Sequence, residues 1–191
     1  IPIKKGILFA PHPAFAKNEK GEYVNHALAP EVIDQLHNPM DLPQKGTREL
    51  TAEDFVYSIK RMANPRIIAP VYGTMVNYLP GLKDFAVQVR AEDKRLRADL
   101  KPSDRDLPFL DLRKFELKGV SAPDKHTLRL EVKGKYPQFP NWLAMTFFAP
   151  VPWEAEAFYA QKGMAKNNLS LNYWPVGTGP YMLVESIENR K

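Results

Sequence analysis

Cysteine is absent from all 191 residues. That excludes a disulfide scaffold, a thiolate-held zinc or iron–sulfur centre and a cysteine nucleophile, and leaves the compartment open. Long apolar runs are missing as well: none approaches the roughly 18 residues a membrane-spanning helix needs. There is no G-x-x-x-x-G-K-[ST] phosphate loop and no G-x-S-x-G nucleophile elbow. The four histidines, His12, His26, His37 and His126, show no H-x-x-x-H spacing that would set two imidazoles on one metal. Internal repeats and low-complexity tracts are absent too. The start, Ile1-Pro-Ile-Lys-Lys, lacks methionine and the basic, apolar and small-residue zones of a signal peptide. It is expected to be an interior piece of something longer.

What is present is ordinary in bulk and unusual in one count. Hydrophobic residues make up 44% and charged residues 26%, the balance of a globular chain long enough to bury a core. Eighteen prolines predict many short elements joined by irregular loops rather than a helical bundle. The net charge of +5, with an isoelectric point near 9.3, raises a nucleic-acid-binding reading. Basic residues scattered among acids favour a solvated surface instead.

Along the chain, Ile1–Phe9 reads as a strand interrupted at Gly6, and 10–46 as a loop-rich excursion. Within it, a short helix is expected from Pro30 to Leu36, with proline at its first turn and Asn38-Pro39 as its stop. Residues 70–84 predict one or two short helices, and the charge-dense 84–113 a solvated helix–loop excursion. Phe115–Val120 and His126–Val132 alternate apolar with polar residues, the period of half-buried strands. With Ala122-Pro-Asp-Lys as the turn, they form the clearest hairpin. A helix follows Pro152 and ends before Gly163. Gly177-Thr-Gly179 is a tight turn whose glycines accept positive φ, and 181–187 is expected as a strand. The fold class predicted is α+β with mixed pairing.

Thr51–Pro65 carries its own start, face and stop. Thr51 and Asp54 make an aspartate capping box. Glu53 and Asp54 sit at the positive end of the helix dipole, and Lys60 and Arg61 at the negative end. Phe55, Ile59 and Met62 form an apolar stripe, and Asn64-Pro65 stops the helix. Capping and dipole roles account for Glu53 and Asp54, and for Glu154 and Glu156 in the later helix, so no catalytic acid pair is assigned. His12, between two prolines, is the one histidine singled out. The rings of Tyr136, Phe139, Trp142, Phe147, Phe148, Trp153, Phe158 and Tyr159 either line a cleft or pack a core.

The wording of three blocks carries a resemblance. RELTAEDFVYSIKRMANP at 48–65, Val120–Val132 and Trp174-Pro-Val-Gly-Thr-Gly-Pro-Tyr181 are similar, in the same order, to segments of the family 5 extracellular solute-binding proteins. These are the oligopeptide, dipeptide and nickel receptors of ABC importers. The resemblance implies a non-catalytic, cofactor-free, two-lobed receptor outside the cytoplasm, with a solute or peptide as ligand and a membrane permease as partner. It implies neither a nucleic-acid partner nor a membrane span of its own. Residues 1–143 would be the receptor's small extra domain, and 144–191 the return segment into its first lobe. Most ligand contacts lie in other parts of such receptors, so no ligand-binding, metal or catalytic residue is carried over. The competing readings are the nucleic-acid-binding domain and a hydrolase on a related scaffold, which would need two acids converging in one cleft.

Overall fold

The computed structural model describes residues 1–101, 103–104 and 106–185. In chain order the α-helices are α1 (Pro30–Gln35), α2 (Ala52–Arg61), α3 (Tyr72–Tyr78), α4 (Leu82–Leu96), α5 (Phe139–Trp142) and α6 (Trp153–Tyr159). The strands are β1 (Val120–Asp124) and β2 (Thr127–Leu130), an antiparallel pair. Helices with one small sheet make the fold α+β, and every strand pairing among the described residues is antiparallel. The chain divides into two compact units. Unit 1 holds Ile1–Lys5, Leu50–Asp99 and Leu110–Val151; unit 2 holds Gly6–Glu49, Leu100–Phe109 and Pro152–Lys191.

Unit 1 is organised by α2, which packs on both strands of the hairpin. Its first residue donates its amide to the Lys125 carbonyl at 2.9 Å. The capping box forms, with the Thr51 amide donating to Asp54 Oδ2 at 2.9 Å. At the other end the Asn64 side chain accepts from the Arg66 amide, turning the chain at the expected stop. Of the predicted stripe, Ile59 and Met62 are buried and Phe55 is half-buried, while Ala52, Val56 and Tyr57 are buried as well. Packing on two sides, hairpin and 146–151 segment, widens the apolar face beyond a three-residue stripe.

The hairpin is shifted toward the C-terminus of its predicted place. Val120 pairs with Leu130 and Asp124 with Thr127, so Ala122 and Pro123 lie inside β1, across an irregularity in the ladder, and not in the turn. Residues 115–119, expected as strand, are bend, coil and turn instead, and only Val120 of that span enters β1. The cause is a close approach: Gly119 runs against Pro80, where a Cβ would meet the Pro80 carbonyl oxygen at 2.6 Å. Only glycine lets the chain enter the hairpin there.

The expected strand Ile1–Phe9 is divided at Gly6, which has φ +77°. Ile1–Ile3 lies along β2, with Leu128 donating to the Ile1 carbonyl at 2.9 Å and Ile3 to the His126 carbonyl at 2.7 Å. Leu8 makes an isolated bridge to Glu49 within unit 2. The expected strand at 181–187 is not formed over 181–185, where Tyr181, Met182, Leu183 and Val184 are exposed. Its last two residues lie outside the described residues. No helix among the described residues is long and apolar enough to cross a membrane.

Candidate functional site

Unit 2 has little regular structure, and a network of buried polar side chains holds it. His12 is 5% exposed. Its Nδ1 accepts from the Ala14 amide at 3.1 Å, which caps a 3₁₀ turn over Pro13–Phe15. A nitrogen that accepts carries no proton, so the network assigns the hydrogen to Nε2. Nε2 then donates to the Tyr159 hydroxyl oxygen at 3.0 Å, and Tyr159 donates to the Trp174 carbonyl at 3.1 Å. Burial lowers the His12 pKa to about 4 and pushes the Tyr159 phenol up. Both groups are therefore neutral near pH 7. The arrangement fixes α6 and the 174–177 segment around the 12–15 turn.

The same turn is locked from its other side. His12 and Gly46 exchange two backbone hydrogen bonds, 2.9 and 3.1 Å. A Cβ on Gly46 would fall 2.5 Å from the Phe15 carbonyl oxygen, so the position requires glycine. The Ala10 amide donates to the Gly177 carbonyl at 2.8 Å, tying the 174–181 motif to this layer. Gly177 and Gly179 have no positive φ among the described backbone outliers. The predicted tight turn is an open bend, with space beside both glycines.

Glu154 has a role that capping and dipole arguments missed. It sits in the first turn of α6 but is 2% exposed. Both of its oxygens accept from Arg48, at 2.6 and 2.7 Å, and Oε1 also accepts from the Tyr23 hydroxyl at 3.1 Å. The Arg48 guanidinium lies over the rings of Phe9 and Phe15, at 5.0 and 5.5 Å. Such a two-pronged, desolvated pair is a strong and geometrically specific contact. No local sequence signal announces it, because 106 residues separate the partners.

The remaining candidates are scattered. His26 stacks on Tyr23 at 4.5 Å, and its Nε2 donates to the Ala14 carbonyl at 2.9 Å. His37 is exposed, and His126 stands at the hairpin turn, its amide bonded to Asp124. The eight aromatic rings fall into two sets. Tyr136, Phe139, Trp142, Phe147 and Phe148 touch one another within unit 1. Trp153, Phe158 and Tyr159 pack with Tyr23, His26 and His12 within unit 2. Among the described residues, no three His, Asp or Glu side chains converge to hold a metal ion. The largely apolar depression in unit 1, of about 410 Å³, lies between the end of α2, residues 67–71 and the 146–151 segment. Met62, Ile67, Val71, Phe147 and Val151 line it, with Arg61 and Ser58 as polar groups. The Ser58 hydroxyl is already used, accepting the Val151 amide at 2.7 Å.

Residues 45–191 match the family described as bacterial extracellular solute-binding proteins, family 5 Middle. The chain belongs to this family. The match takes in all three motif blocks and begins beside Gly46, at the layer that holds His12. A curated relative in Escherichia coli (strain K12), the periplasmic murein peptide-binding protein MppA, is 28% identical over 142 residues. That alignment covers 74% of this chain and 21% of the relative, so the chain spans about a fifth of that protein's length. No solved structure matches the chain. The donors and acceptors of the unit 2 polar network are turned on one another.

Proposed function

We propose that the chain is part of the substrate-binding component of an ABC importer, acting outside the cytoplasm on peptides and without catalysis. The observation that carries this reading is the family match over residues 45–191. The peptide preference rests on the ligand in the relative's name, a murein peptide. Support for a non-catalytic role comes from the state of the buried groups. His12 donates to a phenol that burial keeps protonated, and Glu154 is held by Arg48, so neither is poised to move a proton to a substrate.

We also place residues 1–143 in the receptor's small extra domain and 144–191 in the return segment. Unit 2 draws on both sides of that border, so the border follows the order of the motif blocks and not the packing. On this reading the 191 residues supply one part of an enclosing surface, and affinity for peptide belongs to the complete receptor. Calorimetric titration with murein-type and generic tripeptides tests it. The complete receptor should bind and be stabilised, and the 191-residue chain alone should show no measurable heat. Tight peptide binding by the chain alone overturns the division of labour. A complete receptor that ignores peptides and is stabilised by a metal chelate overturns the ligand class.

A further inference from the structure

The exposed face of α4 carries more positive charge than the one carboxylate beside it neutralises. Arg90, Lys94 and Arg97 recur at i, i+4 and i+7, which aligns them on one side of the helix. With Pro65, Asp93 and Ala98 they line an open depression of about 580 Å³ within unit 1. Asp93 is the one carboxylate there, and it is spent on two partners. Arg66 Nε reaches it at 2.6 Å and Arg97 Nε at 3.0 Å. Burial pushes the Asp93 carboxyl up, but those two arginines outweigh it and hold it ionised below its ordinary range. Arg66 enters from the segment after α2, so two separate parts of unit 1 converge on the same carboxylate.

Arg90 and Lys94 are different. Both are exposed, and neither takes part in an ion pair among the described residues. Arg90 is steadied from below by the Tyr72 ring, 5.9 Å from its guanidinium carbon. The neighbouring acid on this helix, Glu92, is engaged elsewhere, with Arg95 on both nitrogens at 2.7 Å. Cations in the last helical turn complement the helix dipole. That account covers Lys94 and Arg97 but stops short of Arg90, nearly two turns from the end. Three cations against one doubly paired carboxylate leave the lining of the depression at net +2.

We propose that the Arg90–Lys94–Arg97 face of α4 is a binding site for a phosphate-bearing anion. Guanidinium forks and an ammonium at helical spacing suit phosphate oxygens, with Arg donating two parallel bonds and Lys a point charge. The arrangement is independent of the solute-receptor reading and survives its failure. Being exposed, the site is salt-sensitive: contacts of this kind weaken steeply as ionic strength rises past the physiological range.

The phosphate comes either from a soluble ion or from a lipid headgroup, and two arms separate these sources. In the first, pyrophosphate is titrated calorimetrically into the 191-residue chain at low salt. In the second, the chain is sedimented with phosphatidylglycerol vesicles and with phosphatidylcholine vesicles. The variant R90Q/K94Q removes the two unpaired cations and leaves the Asp93 pairs intact. K133Q/K135Q removes equal charge from another exposed stretch of unit 1 as control. The site is supported when R90Q/K94Q weakens binding in either arm by roughly tenfold or more while the control stays within about twofold of the parent. Binding to pyrophosphate identifies a soluble ion, and binding confined to phosphatidylglycerol identifies a headgroup. Equal losses in both variants, or no binding by the parent chain in either arm, overturn the proposal.

Discussion

Unit 1 and unit 2 solve the same problem in opposite ways. In unit 1, repeating backbone bonds run through α2, α3, α4 and the β1–β2 hairpin, and α2 packs on the hairpin. Among its described residues, unit 2 has the six-residue α1 and seven-residue α6 as its α-helices, with 3₁₀ turns elsewhere. Its buried peptide groups still need partners, and side chains from distant sequence supply them. Gln161 accepts from the Leu28 amide and donates to the Asn25 carbonyl, both at 2.8–2.9 Å. Asn167 donates to the Ile33 and Leu36 carbonyls, and Asn25 to those of Pro13 and Gln44. A proline-rich chain that cannot repeat its backbone bonds thus becomes dependent on a few long-range polar contacts.

The sharpest way to break that comparison is at Glu154. Glu154→Ala removes the buried carboxylate to which Arg48 and Tyr23 both donate, and should cost roughly 3–5 kcal/mol. Urea unfolding reads this as a lower midpoint; a loss below about 1 kcal/mol would reduce the pair to a surface bridge.

Acid should separate the units next. The unfolded chain protonates His12 near its ordinary 6.5, whereas burial holds it at about 4 in the fold. The folded state therefore binds fewer protons in that window. Its stability is full above pH 6.5 and falls as the pH drops toward 4, by about 3 kcal/mol in all. Comparing urea midpoints of the parent and His12→Gln at pH 7 and 4.5 isolates this part. Parallel losses in the two proteins would show that His12 is not responsible.

The smallest effect belongs to unit 1. Thr51→Ala removes half of a local capping box and should cost about 1 kcal/mol. It should leave the acid dependence unchanged. A loss as large as that of Glu154→Ala would mean that α2 depends on its cap more than on its packing.

The two units also differ in how legible they are. The helix from Ala52 to Arg61, its capping box and its stop are readable because each signal lies within a few residues of the structure it makes. The short helix after Pro30 and the helix after Pro152 are readable for the same reason. The hairpin was legible as an element but not in register. Alternation places apolar residues on one face without saying where the turn falls, and the contact of Gly119 with Pro80 decides that. His12 stood out only for its proline neighbours, and nothing in the sequence pairs it with Tyr159 or Trp174.

By itself the sequence determined the α+β class, the ends of α2 and, through three worded blocks, the family. Those depend on local propensity and on residue order, which a chain displays without folding. Tertiary structure alone decided that Arg48 meets Glu154, that His12 is buried neutral, and that Arg66 is brought onto Asp93. Each of these joins residues far apart in sequence or turns one helix face outward. Such pairings exist only once loop closure and desolvation have been offset by the packing of the whole unit.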